Sequence, residues 1–238
     1  MLIKDRRHLR VWPAVLMFGV LSACRAEPQA PRFPEAERPV AAIVSDSFST
    51  EEARDRLGEA DEVVAFAQIR PGMSIADIGA GEGYYTVRLS PVVGPRGRVL
   101  AQDIIPATRD RLAQRVERDK LDNVSVRLGL PDDPRIPAAS FDRIFLVHMY
   151  HEVTAPYAFL WHLRAGLRPG GEIIVVDADR EIRRHGMPRL QLACEFAALG
   201  LQQQRIETLT GSNNYAAAFR IARARPDPET IERCPSKK

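Results

Sequence analysis

The chain is expected to fold as an α/β protein with a doubly wound, mostly parallel sheet of seven strands. Short apolar runs alternate with helix-length amphipathic segments from Met73 to Asp179. That order implies parallel strands joined by right-handed crossovers, with helices on both faces. The run "MSIADIG" is apolar on both faces and is cut off by glycine, as a fully buried strand would be. Two further runs, "LQQQRIETLT" and "YAAAFRIAR", flank only "GSNN", a tight-turn composition that predicts an antiparallel C-terminal pair.

The elements follow in order. Ser49, with Glu52 three residues on, suits a capping box opening one amphipathic helix through Ile69. After the first strand, "YYTVRLSPVV" reads as a helix, "GPRG" as a turn and "RVLAQDI" as the second strand. "ATRDRLAQRVERDK" is a charged surface helix, followed by the strand "NVSVRLG". "FDRIFLVHMY" is expected as the fourth strand, with His148 and Tyr150 on one face by alternation. "APYAFLWHLRAGL" is a helix, "RPGG" a turn and "EIIVVDAD" the fifth strand. "MPRLQLACEFAALG" is the last helix, with Pro188 at its first turn and Gly200 after its end.

The net charge of +3 is misleading. Residues 1–23 hold Lys4, Arg6, Arg7 and Arg10 against Asp5 alone, so the remainder is neutral. A neutral body gives no electrostatic reason to expect nucleic acid as a partner. Residues 1–23 read as a signal peptide: a basic start, then the short apolar stretch "VWPAVLMFGVLSA". "LSAC" resembles the lipobox of bacterial lipoproteins. The resemblance implies lipidation at Cys24 and a membrane anchor on the periplasmic side, the outer membrane being favoured by Arg25. An uncleaved anchor, or a start placed too far upstream with the protein in the cytoplasm, is the alternative. Residues 24–48 are Pro-rich and expected as a tether, 49–223 as the folded domain, and 224–238 as a polar tail. Cys194 is expected as a small core residue; a disulfide to Cys234 is conceivable after export.

The chemistry should sit in "ADIGAGEGYYT", after the first strand, because ligands in such sheets bind beyond the carboxyl ends of the strands. Gly79, Gly81 and Gly83 permit close backbone approach to a ligand. A dinucleotide fingerprint would need glycine at position 84, which is Tyr84, and no Gly-Lys-Ser/Thr follows to make a phosphate loop. Asp77 beside the loop would repel a phosphate.

Asp77 with Gly79, Ala80, Gly81 and Gly83 resembles the first motif of the class I S-adenosylmethionine-dependent methyltransferases. "RVLAQDI" places Asp103 where that family has an acidic residue for the ribose hydroxyls, with Ile104 beside it. "LRAGLRPGGEIIVVD" is similar to the family's late motif, and the likeness extends over residues ~49–223. The resemblance implies a Rossmann-like methyltransferase fold, S-adenosyl-L-methionine as cofactor, and adenine contact by Asp132 in "VRLGLPDDPRIP". "AFAQIRPGMSIADIGAGEGYYT", "PDDPRIP" and "HMYHEV" also resemble a group of bacterial predicted methyltransferases, some with export signals, whose substrates are undefined.

Methyl transfer needs an aligned acceptor and, for a weak nucleophile, a base. His151, where the chain leaves the fourth strand, is the candidate base for a small-molecule or protein side-chain acceptor; His148, Tyr150 and Glu152 lie beside it. Three close donors without a partner elsewhere are thin support for a metal, and none is expected. Two other functions stay open. One is repair methylation of isoaspartate, which "IRPGMSIADIGAGEGYYT" distantly resembles; the other is a non-catalytic, lipid-anchored binding or sensor protein.

Overall fold

The structure is a computed structural model that describes residues 31–43 and 50–235. The signal segment, Cys24, and Ser49 lie outside the described residues. Seven strands form one sheet: β1 (Ser74–Ile78), β2 (Arg98–Asp103), β3 (Val124–Leu128), β4 (Phe141–Val147), β5 (Leu167–Ala178), β6 (Leu201–Thr208) and β7 (Asn214–Ile221). Their order is β3-β2-β1-β4-β5-β7-β6. The pairs β1–β2, β2–β3, β1–β4 and β4–β5 are parallel, whereas β7 runs antiparallel to both β5 and β6. The doubly wound α/β expectation is met, including the antiparallel C-terminal pair.

The helices are α1 (Glu51–Arg56), α2 (Glu59–Phe66), α3 (Tyr84–Val93), α4 (Pro106–Arg118), α5 (Pro156–Leu163) and α6 (Arg189–Ala198). Alternate residues of the buried strands feed two cores on opposite faces. Ile144 and Leu146 belong to one core, Phe145 and its partly buried neighbour Val147 to the other. Such double-sided burial explains why these strands read as continuous apolar runs. Among the described residues, no helix is long and apolar enough to cross a membrane.

Four departures from the sequence reading have local causes. The single helix expected over 49–69 is broken at Gly58, whose φ of +66° lies in the left-handed region. Thr50, not Ser49, caps α1, accepting a hydrogen bond from the Ala53 amide at 3.3 Å. The fourth strand stops at Val147, because His148 adopts φ +51°; Tyr150, His151 and Glu152 form a short 3₁₀ turn. His148 and Tyr150 therefore do not share a strand face.

The fourth departure concerns the two ends. Residues 31–43, expected within a free tether, lie against the body without helix or strand. Arg38 is buried and its Nε donates to Glu195 Oε1 at 2.7 Å, while its Nη2 donates to the Tyr150 and Val153 carbonyls. The expected polar tail is also fastened: Cys234 is buried and forms a disulfide with Cys194 of α6. Its amide donates to the Tyr157 hydroxyl at 2.7 Å.

Candidate active site

Winding reverses between β1 and β4: the chain leaves β1 for β2 and β3, then returns to β4 on the other side of β1. A cavity of about 570 Å³ opens at this point, beyond the carboxyl ends of the strands. Its size lies within the usual range for a small-molecule site, roughly 300–1,000 Å³. Asp77, Gly79, Ala80, Gly81, Asp103 and Ile104 all line it, as does His151. Gly83 lies behind the lining, and Asp132 is exposed and outside it; Leu130 and Pro131 take that wall.

The glycine loop is shaped by β2 and by its own dihedral angles. Gly79, Gly81 and Gly83 have φ of +66°, +57° and +92°. A Cβ at Gly83 would meet Leu112 Cδ1 at 2.6 Å, and one at Gly79 would meet Met149 Cγ at 2.9 Å. The Ala80 amide donates to the Gln102 carbonyl, and the Gly81 amide to Asp103 Oδ2 at 3.1 Å. Asp103 Oδ1 accepts from the Ile105 amide at 2.9 Å. A carboxylate offers about four lone-pair sites, so Asp103 keeps capacity for a ligand after holding the loop.

Asp77 is buried and accepts a 2.6 Å hydrogen bond from Thr86 Oγ1. Burial pushes its carboxyl up to about 6, against the opposing Thr86 hydrogen bond and Arg54 charge. A cationic group brought into the cavity beside Asp77 would be stabilised by ionising it. The Gln102 side chain belongs here too, though its residue type gave no signal in the sequence. Its Oε1 accepts from the Gly79 amide at 3.3 Å, and its buried Nε2 has no hydrogen-bond partner among the described residues. A buried donor without a partner is costly unless a ligand or water meets it.

One wall comes from α1 and α2. Arg54 lies over the Tyr84 ring at 3.9 Å and pairs with Glu59 Oε1 at 2.6 Å. Tyr85 donates to the same oxygen, and His148 Nε2 lies 3.2 Å from Glu59 Oε2. Burial pushes the Glu59 carboxyl up, but His148 and Arg54 outweigh it and hold it at about 2. Tyr84 and Tyr85 thus join the glycine loop to the first helices, and His148 hydrogen-bonds into the same cluster through Glu59.

The opposite end holds His151, which is 3% exposed. Its Nδ1 lies 2.9 Å from Asp177 Oδ2 and 3.1 Å from Oδ1, and Asp177 is fully buried near the end of β5. The Ala178 amide also donates to Asp177 Oδ1. A carboxylate at Nδ1 places the proton there and leaves the Nε2 lone pair for the cavity. Sequence reasoning missed Asp177 as a partner because 26 residues separate it from His151. The turn that carries His151 is held from outside by Arg38 and by the Ala41 amide, which donates to the His151 carbonyl at 3.1 Å.

Residues 75–171 match the family described as a methyltransferase domain. That segment is similar to methyltransferase domains. S-adenosyl-L-methionine is the cofactor of the class, and the cavity fits it: flat glycine backbone, two carboxylates at strand ends and an unmet donor at Gln102. Nocamycin O-methyltransferase of Saccharothrix syringae is 40% identical over 169 residues, 65% of this chain and 58% of its own length. A protein-L-isoaspartate O-methyltransferase of Ignicoccus hospitalis is 31% identical over 119 residues, 50% of this chain and 53% of its own. The chain thus spans somewhat over half the length of these two curated relatives. The solved S-adenosylmethionine-dependent methyltransferase of Aquifex aeolicus superposes with a TM-score of 0.66 at 22% identity, covering 71% of this chain and 92% of that one. It shares the fold.

Proposed function

We propose that the protein transfers the methyl group of S-adenosyl-L-methionine to an oxygen, nitrogen or similar acceptor on a small molecule held beside His151. The observation that carries this reading is the His151–Asp177 pair, buried on the acceptor side of the same cavity whose other end presents Asp77, the glycine loop and Asp103. The cofactor supplies an activated methyl on a sulfonium; the protein must align the acceptor and receive its proton. Asp103 would take the ribose hydroxyls and Asp77 the cationic end of the amino-acid portion. His151, its tautomer fixed by Asp177, would accept the proton through Nε2. An oxygen acceptor is favoured by the 40% identity to an O-methyltransferase.

Binding tests the cofactor part. Calorimetry on the chain should show S-adenosylmethionine binding that Asp103→Ala weakens by about 1–3 kcal/mol, the scale of hydrogen bonds to a charged group. Equal affinity in the variant would remove Asp103 from the cofactor site. Binding without turnover, on any acceptor of a broad library, would favour the non-catalytic sensor reading instead.

The leader bears on where the reaction happens. Export with a lipid on Cys24 is the reading we favour, supported by the "LSAC" sequence and by the Cys194–Cys234 disulfide. Disulfides persist in oxidising compartments and are rare in the cytosol.

A further inference from the structure

The loop after β5 brings a second histidine to the acceptor end of the cavity. Met187 N donates to the Ala178 carbonyl, which closes residues 179–186 into a compact excursion. Arg180 reaches across it, and both Nε and Nη2 donate to the His185 carbonyl at 3.1 and 3.0 Å. A Cβ at Gly186 would collide with Arg180 and with the Ala178 carbonyl, so the excursion requires glycine there. His185 itself is held at φ +55°, a left-handed conformation that is strained for a residue with a side chain. The result is a T-shaped approach of the His185 and His151 rings, centroids 5.6 Å apart.

We infer that His151, Glu152 and His185 form a binding site for a divalent transition-metal ion of the zinc class at the acceptor end of the cavity. One ligand atom from each of the three residues lies within 4.8 Å of the others, and His151 Nε2 is 4.0 Å from Glu152 Oε1. Bonds of about 2.0–2.2 Å in a tetrahedral site set neighbouring ligand atoms roughly 3.3–3.5 Å apart, so small rotations of the half-buried Glu152 and His185 side chains suffice to close the set. Two imidazole nitrogens with one carboxylate oxygen suit zinc and its neighbours, and leave one position open. Asp177 behind His151 is the outer carboxylate that such histidine ligands commonly carry, fixing Nε2 as the metal-facing atom. With Glu152, it gives the site two negative charges to set against a divalent cation.

All three ligands line the cavity, so the open position faces the space assigned to the acceptor. An acceptor oxygen or sulfur bound there is acidified by the cation, and His151 acts as a ligand in the loaded protein. It receives a proton only when the cation is absent. The sequence reading discounted a metal because "HMYHE" lacked a distant partner; His185, 34 residues after His151, is that partner.

The test is independent of methyl transfer. Titration of the metal-free chain with Co²⁺ should give one equivalent of a tight site with a visible d–d absorption, displaced by Zn²⁺. Glu152→Gln and His185→Asn should each weaken Co²⁺ at least tenfold, asparagine being tolerant of the left-handed backbone at 185. His162→Ala, outside the cavity, should not. Circular dichroism and S-adenosylmethionine affinity report whether each variant stays folded. A wild-type chain that takes up no stoichiometric Co²⁺, or folded Glu152 and His185 variants that bind it as the wild type does, would overturn the site while leaving the cofactor reading intact.

Discussion

Asp177 Oδ2 sits 2.9 Å from His151 Nδ1, and neither side chain reaches solvent to any useful degree. Two strands and a turn converge to make that contact, since Asp177 belongs to β5 and His151 to the turn after β4. The carboxylate orients the ring, so its removal should be felt in chemistry before binding. Asp177→Asn should lower kcat by roughly 10²-fold or more, the range of positioned acid–base groups, with S-adenosylmethionine affinity close to wild type. Loss of cofactor affinity with an unchanged rate would move Asp177 out of the acceptor side.

Asp77 gives a pH signature. Its folded carboxyl, pushed up to about 6 mainly by burial, lies above the ordinary value of 3.8. The folded state therefore holds the proton more tightly, and stability from this residue is lost as pH rises from 3.8 through 6. The total is about 3 kcal/mol on the 1.36 kcal/mol-per-unit scale. Urea midpoints of the cofactor-free chain between about pH 4 and 7 should show this decline, and Asp77→Asn should flatten it. A decline of the same size in the variant would assign it to other groups.

The glycine loop separates strain from collision. Gly83→Ala combines φ +92° with a 2.6 Å approach to Leu112, whereas a Cβ at Gly58, φ +66°, meets nothing within 4 Å. Gly58→Ala should cost about 1 kcal/mol, the backbone part alone, and Gly83→Ala about 2–4 kcal/mol. Denaturant unfolding of both variants measures the gap. Equal losses would mean that Leu112 yields freely.

The leader is testable by mass. If Cys24 is lipidated, wild-type protein from a bacterial host should partition with membranes and take up labelled fatty acid. Cys24→Ser should accumulate as a heavier, unlabelled precursor. Identical masses with both forms in the cytosol would refute the export reading.

Much of this site could be read from residue order because its parts are local. Asp77, Gly79, Ala80 and Gly81 are near neighbours in the chain, and Asp103 is marked by its place at the end of the strand run "RVLAQDI". What escaped was built by tertiary folding. His151 meets Asp177 only because β4 and β5 are paired, and meets His185 only because Arg180 folds a loop back. Gln102 gave no signal since a polar residue next to an expected aspartate looks like surface, yet it is 1% exposed. Residues 31–43 looked like a linker by composition, but one arginine, Arg38, found a buried glutamate 157 residues away. Composition reports average solvation and is blind to a single well-placed ion pair.

The sheet order has a further consequence, for the time at which the protein is made. β7 lies between β5 and β6, and among the described residues β6 pairs with no other strand. During synthesis β6 emerges first and has nowhere to dock, while the flank of β5 stays open until residues 214–221 arrive. The nascent chain thus carries an unsealed sheet edge from the completion of β5 until β7 arrives, the kind of surface that chaperones and aggregation compete for. Closure then comes in one step, with β7 as the wedge that turns a half-built sheet into a finished one. A ribosome stalled a few codons short of Asn214 would hold a chain with its cofactor loop complete and its fold unable to close.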